Sequence, residues 1–272
     1  MDVSLLTVPV PLQADALLRK KGYRAYPLQT MLGRSDDPLV DIATYGIAGQ
    51  SYYSRPNGAT KTAIPGLPKT IYVRRGIALK LAAINKALQN SPEVEKLFGK
   101  PVELYVEEGL RARTTQQELY EIVFPGLIRA QFPKLTEVEV LERRDQLIAK
   151  PSTAKTPAPH ATGAAIDVAL RYRQPILDFV PDVNVPMTEE SSTGPEVSPD
   201  YFEIHLPKTV EQKMLQRNRR AFYWIMRGAL LDEESGFEVN PTEWWHWSYG
   251  DQMWAALTKA PHAFYGFAKR PR

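Results

Sequence analysis

The spacing of apolar residues changes several times along this chain, and each change predicts an element. Ile77, Leu81, Ile84 and Leu88 recur at helical spacing, with Lys80, Asn85 and Lys86 turned away. That stripe predicts an amphipathic core helix. After Pro101 the period falls to two, and the alternation over Val102–Glu107 predicts a half-buried strand. Thr115 to Ala130 reads as a helix that Pro125 breaks or kinks. Thr136 caps another helix, with Glu139 at the capping-box position and Leu141 and Ile148 among its apolar residues. The alternation returns from Ala164 to Leu170, where Ile166, Val168 and Leu170 share the expected core face. Ala165, Asp167 and Ala169 share the opposite face, small on both sides of the carboxylate. Thr209 to about Leu231 predicts a long helix with Val210, Met214, Phe222 and Ile225 inward. Phe237 should re-enter the core. Trp244–Tyr249 is β-prone, as is the short Thr70–Val73, and a short helix starts at Gln252.

These elements predict an α+β fold: a central, largely antiparallel sheet with the site at one edge and helices around it. The chain reads as a single domain over 1–272. Residues 1–40 are turn-rich and hard to place. The segment 181–199 is a long loop rich in Pro, Ser, Thr and acidic residues, a length that points to function or disorder. The proline-rich run from Lys150 to Pro159 cannot pair in a central sheet. It reads as an ordered loop that delivers His160 to the next strand.

Composition narrows the classes. The 272 residues are 43% hydrophobic and 24% charged, ordinary for a globular chain. With 34 basic and 31 acidic residues the net charge is +3, which gives no nucleic-acid footprint. Lys269–Arg272 reads as a solvated tail. The chain has no cysteine, so thiolate ligands and disulfides are excluded. The opening Met1–Leu6 has no signal-peptide pattern, and no apolar run is long enough to span a membrane. No membrane association is therefore expected, and a cytoplasmic location is. There is no repeat, no phosphate-cradling glycine loop and no serine nucleophile elbow.

The chemistry gathers in two stretches. His160-Ala161-Thr162-Gly163-Ala164-Ala165-Ile166-Asp167 and Glu243-Trp244-Trp245-His246-Trp247 supply two imidazoles and two carboxylates, and hold two of the four histidines. A catalytic zinc needs three such ligands, an open fourth position and a nearby base. Singly, a histidine among tryptophans is usually structural; the pair is the stronger signal. In a regular strand Glu243 and His246 would face opposite sides, so Glu243 is expected at the strand's irregular entrance, after Pro241.

His160-x-x-Gly163-x-Ala165-x-Asp167 followed by Glu243-x-Trp245-His246 resembles the zinc D-Ala-D-Ala peptidases, which are fold-related to hedgehog signalling domains. The string from Glu243 to Asp251 is similar to the D-alanyl-D-alanine dipeptidase branch, the vancomycin-resistance type. The carboxypeptidase branch more often has proline where Trp244 stands. The resemblance runs from about Ile42 onward. It implies a hedgehog/D-Ala-D-Ala peptidase-like fold and one Zn2+ per chain on His160, Asp167 and His246. It implies Glu243 as the base and acid that handles the water proton. Glu108-Gly109-Leu110-Arg111 stands at the family position of the arginine that steadies the scissile carbonyl oxygen; Arg113 is the nearby competitor. Support behind both histidine ligands is expected. The tryptophans are read as packing, and His205 and His262 as non-ligands.

The implied substrate is D-Ala-D-Ala or a similar short dipeptide, cleaved to free amino acids. Two departures bear on it. Ala158 stands where the family favours serine, and the segment around Val185-Pro186-Met187-Thr188 is atypical. Residues 43–53 faintly resemble the segment that lines the family's pocket; a surface-packed aromatic loop is the plainer reading. The competing enzyme is a D,D- or L,D-carboxypeptidase acting on peptidoglycan peptides. The competing class is a non-catalytic zinc-containing binding module, which would need neither Glu243 nor Arg111.

Overall fold

The computed structural model describes residues 2–12, 22–28, 37–54, 70–153, 155–173, 184–188 and 195–268. The basic tail and, within the 181–199 loop, residues 181–183 and 189–194 lie outside the described residues. Its strands are β1 (Leu39–Asp41), β2 (Ala48–Gly49), β3 (Tyr72–Arg74), β4 (Val102–Glu108), β5 (Ala165–Tyr172), β6 (Glu238–Asn240) and β7 (Glu243–Ser248). Five form one sheet in the order β2-β4-β5-β7-β6, and β1 and β3 form a separate antiparallel pair. Every pairing in the larger sheet is antiparallel except β2 with β4. The helices are α1 (Arg75–Gln89), α2 (Pro92–Phe98), α3 (Arg113–Glu118), α4 (Phe124–Gln131), α5 (Glu137–Leu147), α6 (Tyr201–Ile204), α7 (Val210–Arg227) and α8 (Gln252–Thr258). The expected α+β arrangement is therefore the observed one.

The core lies between one face of the sheet and helices α1 and α7. Leu104, Val106, Ile166, Val168 and Leu170 meet Ile77, Leu81, Ile84, Phe222 and Ile225 in one apolar cluster. Burying a large aliphatic or aromatic side chain is worth about 1.5–3 kcal/mol, so this cluster dominates the stability of the fold. The opposite face of β5 carries Asp167. The site therefore sits over interior strands β5 and β7, not at the sheet edge as expected, because Asp167 and His246 are direct register partners on those two strands.

Several side chains depart from the sequence pattern. Asn85 is not turned away: it is 4% exposed, and its Oδ1 accepts the Leu104 N–H at 2.9 Å. The cause is the shortness of β2. The Val106 carbonyl accepts from Gln50, so Leu104, two residues back, points its N–H the same way, past the end of β2. Asn85 supplies the missing acceptor. Lys80, also expected outward, donates to the Ser235 carbonyl at 2.7 Å. On α5 the inward residue is Val140, while Leu141 is 37% exposed. Val210 is 87% exposed because it opens α7, and Leu215 is the first fully buried apolar residue of that helix. That helix stops at Arg227, short of Leu231, where Gly228 adopts φ +98°. Pro125 does not end its helix. A π-helical turn over Leu119–Val123 precedes it, and the Phe124 N–H reaches the Leu119 carbonyl. The wider turn accommodates a proline that can neither donate nor tolerate a tight preceding carbonyl.

Candidate metal centre

His160 lies in a 3-10 turn, Pro159–Thr162, at the end of the proline-rich run. Gly163 closes this turn at φ +69°, and a Cβ there would stand 2.5 Å from Leu39 Cδ2. Only glycine suits both the left-handed backbone and the contact. Two segments brace the turn from behind. The Arg74 N–H and Nε donate to the Gly163 and Thr162 carbonyls, at 2.8 and 2.9 Å, and the Ala268 N–H donates to the Ala161 carbonyl at 2.8 Å.

Asp167 and His246 reach the same point from the sheet. β7 is irregular: Val239 pairs with Trp247, whereas the next residue, Asn240, pairs with Glu243. The bulge leaves residues 244–246 without partners in the β6 register and breaks the alternation, while His246 stays paired with Asp167 on β5. Glu243 and His246 thus end on the same side, with Glu243 Oε2 3.8 Å from His246 Nδ1. Glu243 opens β7, and the irregularity expected at the strand's entrance is this shift in its pairing to β6.

His160 Nε2, Asp167 Oδ1 and His246 Nδ1 converge. His160 Nε2 is 3.1 Å from His246 Nδ1 and 3.3 Å from Asp167 Oδ1, and the last two atoms are 3.1 Å apart. A tetrahedral zinc with bonds of about 2.0–2.1 Å sets neighbouring donor atoms about 3.3–3.4 Å apart. The donor set matches that spacing to within a few tenths of an ångström. Its protonation makes the same point. His160 Nδ1 lies 3.0 Å from the Gly109 carbonyl, which can only accept, so this nitrogen carries the hydrogen. In the neutral ring Nε2 is then a lone pair facing a carboxylate. Such a cluster needs a positive charge at its centre, a proton or a metal ion.

The electrostatics follow. Burial works against charge on Asp167, but His160 and His246 outweigh it and hold this carboxyl far below the usual range. Burial also opposes charge on His246; Asp167, with help from Glu243 and Asp251, overcomes it and raises the imidazole. Burial raises the Glu243 carboxyl, Asp167 adds to the rise, and His246, His160 and the Asn240 amide offset part of it. Asn240 Nδ2 donates to Glu243 Oε2 at 2.9 Å. The Glu243 side chain keeps 30% exposure, so water reaches it.

Arg111 lies beside this group. Its N–H donates to the His160 carbonyl at 3.1 Å, while His160 Nδ1 donates back to Gly109. The side chain is 9% exposed. Nε donates to Glu108 Oε1 at 2.9 Å, Nη2 to Glu108 Oε2, and Nη1 to Gln116 Oε1 at 2.8 Å. The Tyr53 ring lies 5.5 Å from its Cζ. Burial disfavours the charge, yet Glu108, with Tyr53 and Asp167, keeps this guanidinium firmly protonated. Arg113 is exposed and heads α3.

Other expectations fare unevenly. Of the aromatic segment, Tyr53 is buried against Leu119, Tyr120 and Ile148 rather than packed on the surface. Trp247 is core, 1% exposed, while Trp244 and Trp245 are partly exposed. Support behind the histidines is present for His160 only; His246 Nε2 is buried with no hydrogen-bond partner among the described residues. His205 stacks on Tyr201 at 4.6 Å, and His262 lies 6.0 Å from Phe264. Neither joins the one donor cluster found among the described residues. Val185 and Met187 are buried, and Arg219 Nε donates to the Met187 carbonyl at 2.7 Å, so the atypical segment is fastened to α7.

Sequence reading missed four features. Gln116 carries no local signal, and Glu108 was visible only as the acid three residues before Arg111. A β-bulge between Val106 and Glu108 sets Glu108 opposite Asp167, where strict alternation would have put Glu107. Residues 22–28, left unplaced, bridge the site's two arms. Arg24 Nη1 donates to the Lys150 carbonyl at 3.2 Å and Nη2 to the Thr156 carbonyl, while Gln252 Nε2 donates to the Arg24 carbonyl at 3.1 Å.

Fold and donor set together define an α+β protein with a candidate three-ligand site for a metal ion. No family profile matches the chain. A D-alanyl-D-alanine dipeptidase of Synechocystis sp. is 27% identical over 266 residues, spanning 90% of this chain and 96% of its own. That similarity bears out the resemblance to the D-alanyl-D-alanine dipeptidase family, and extends it over nearly the whole chain.

Proposed function

We propose that the chain is a zinc dipeptidase that hydrolyses D-Ala-D-Ala, or a similar short dipeptide, to free amino acids. The observation that carries this is the His160, Asp167 and His246 donor set at ligand spacing, with Glu243 beside it. The relative's name supplies the substrate. His160 Nε2, Asp167 Oδ1 and His246 Nδ1 would hold the ion, one per chain. Bound there, zinc supplies a water with a pKa near about 7 and polarises a carbonyl. Glu243 takes the water's proton at its carboxylate and returns it to the leaving amine, a role suited to a carboxyl raised by burial. Arg111 donates to the carbonyl oxygen as it gains charge; losing one such donor costs on the order of 100-fold or more in rate.

The test is amino-acid release from D-Ala-D-Ala by zinc-loaded protein, with L-Ala-L-Ala and N-acetyl-D-Ala-D-Ala alongside. Release from the free D,D dipeptide alone is expected. Release only from the blocked peptide would move the chain to the carboxypeptidases. Zinc bound with no release from any of them would leave a binding module. Replacing His160 or His246 with alanine is expected to remove the ion, measured by metal content; stoichiometric zinc in either variant would refute the ligand set.

A further inference from the structure

We infer that Gln116 is a positioning residue for Arg111, fixing the plane in which the guanidinium meets the substrate. This rests on the role of Arg111 proposed above. Gln116 is 2% exposed, and both ends of its amide are committed. Oε1 accepts from Arg111 Nη1 at 2.8 Å, and Nε2 donates to the Ala149 carbonyl at 2.6 Å. A carbonyl cannot donate, so Ala149 orients the amide with its oxygen toward the arginine.

The geometry shows why a third contact matters. Glu108 grips one edge of the guanidinium through Nε and Nη2. Two contacts along one edge define a line, about which the rest of the group can swing. Gln116 holds Nη1, off that line, and the guanidinium carbon lies over the Tyr53 ring. Of five N–H groups these contacts use three, leaving one on each terminal nitrogen for a substrate oxygen. A packing role alone would favour an apolar residue, since a buried amide is tolerated only when its hydrogen bonds are made. The second contact also has a consequence. Ala149 enters the run that ends at His160, so the clamp on the arginine and the arm carrying a metal ligand share an anchor.

The experiment compares Gln116→Met, close in volume but without the amide, with Arg111→Ala and the double variant. Readouts are kcat and KM on D-Ala-D-Ala, zinc content, and affinity for a phosphinate analogue of the dipeptide, which mimics the tetrahedral stage. Q116M is expected to lower kcat about 10- to 100-fold, part of the loss typical for a whole donor, with KM nearly unchanged. Zinc content should stay at one per chain and analogue affinity should fall in step with kcat/KM. In the R111A background Q116M should have no further effect, because the amide acts through the arginine. An unchanged kcat in Q116M, or losses that multiply in the double variant, overturns the inference. If R111A itself turns over normally, the assigned role of Arg111 fails first and the inference falls with it. Should Q116M not fold, Gln116→Asn, one methylene too short to reach both partners, is judged by the same outcomes.

Discussion

Glu243 is a residue whose stability cost and chemical value point in opposite directions. Its carboxyl is raised by burial, so it favours the fold only while protonated, below the ordinary value of about 4.3. As pH rises through the higher folded value that contribution is lost. In the metal-free fold, burial and the neighbouring Asp167 thus work against the charged form of this carboxyl. Glu243→Gln is expected to raise the metal-free melting temperature at pH 7 by about 1–3 °C, measured by calorimetry. The same change should cut turnover about 100-fold or more with zinc retained. A variant that melts lower and loses zinc would make Glu243 a structural ligand instead. At this scale the sequence was legible where partners are close along the chain or set by a motif, as for His160, Asp167 and His246. Gln116 was not: its anchor, Ala149, lies 33 residues away, and no local pattern records such a contact.

Among elements, the turn before β5 is the most exposed to mutation. Gly163→Ala would meet a left-handed backbone, costing about 1–2 kcal/mol, and an overpacked contact with Leu39, costing about 1–3 kcal/mol. Denaturant unfolding should show a loss of about 2–5 kcal/mol, the sum of those terms, with weaker zinc binding because His160 is carried on that turn. A loss under about 0.5 kcal/mol would mean the turn relaxes freely. Periodicity read α1, β4 and β5 well because each has one face packed on the core. It failed where a neighbouring element sets the outcome. Pro125 signals a broken helix unless a π turn absorbs it, and alternation cannot reveal the bulges that reset Glu108 and His246. Asn85 looked polar and outward because the short β2 that calls for its carbonyl is not visible from α1.

For the whole molecule, metal and protons compete for one site. In the metal-free fold His246 is raised mainly by Asp167, so its contribution is full below about pH 6.5 and lost as pH rises through the folded value. Asp167, held low, contributes above about pH 3.9 and fades as pH falls through its depressed value. The proton on His246 thus stabilises the empty site in mild acid, whereas zinc requires it gone. The melting difference between zinc-loaded and chelator-treated protein should widen from about pH 5.5 to about pH 7.5. A difference that narrows over that range would place the ion elsewhere. Among the described residues no helix is long and apolar enough to cross a membrane.

The two-residue β2 and three-residue β6 have a further consequence. They are the edges of the sheet that carries the site, and an edge strand is where another chain can add itself. Edges this short offer little free ladder. The Leu104 N–H that β2 fails to cover is already held by Asn85. One amide on α1 therefore helps shield the sheet from intermolecular strand addition, at a place where a longer edge strand would itself be open to pairing.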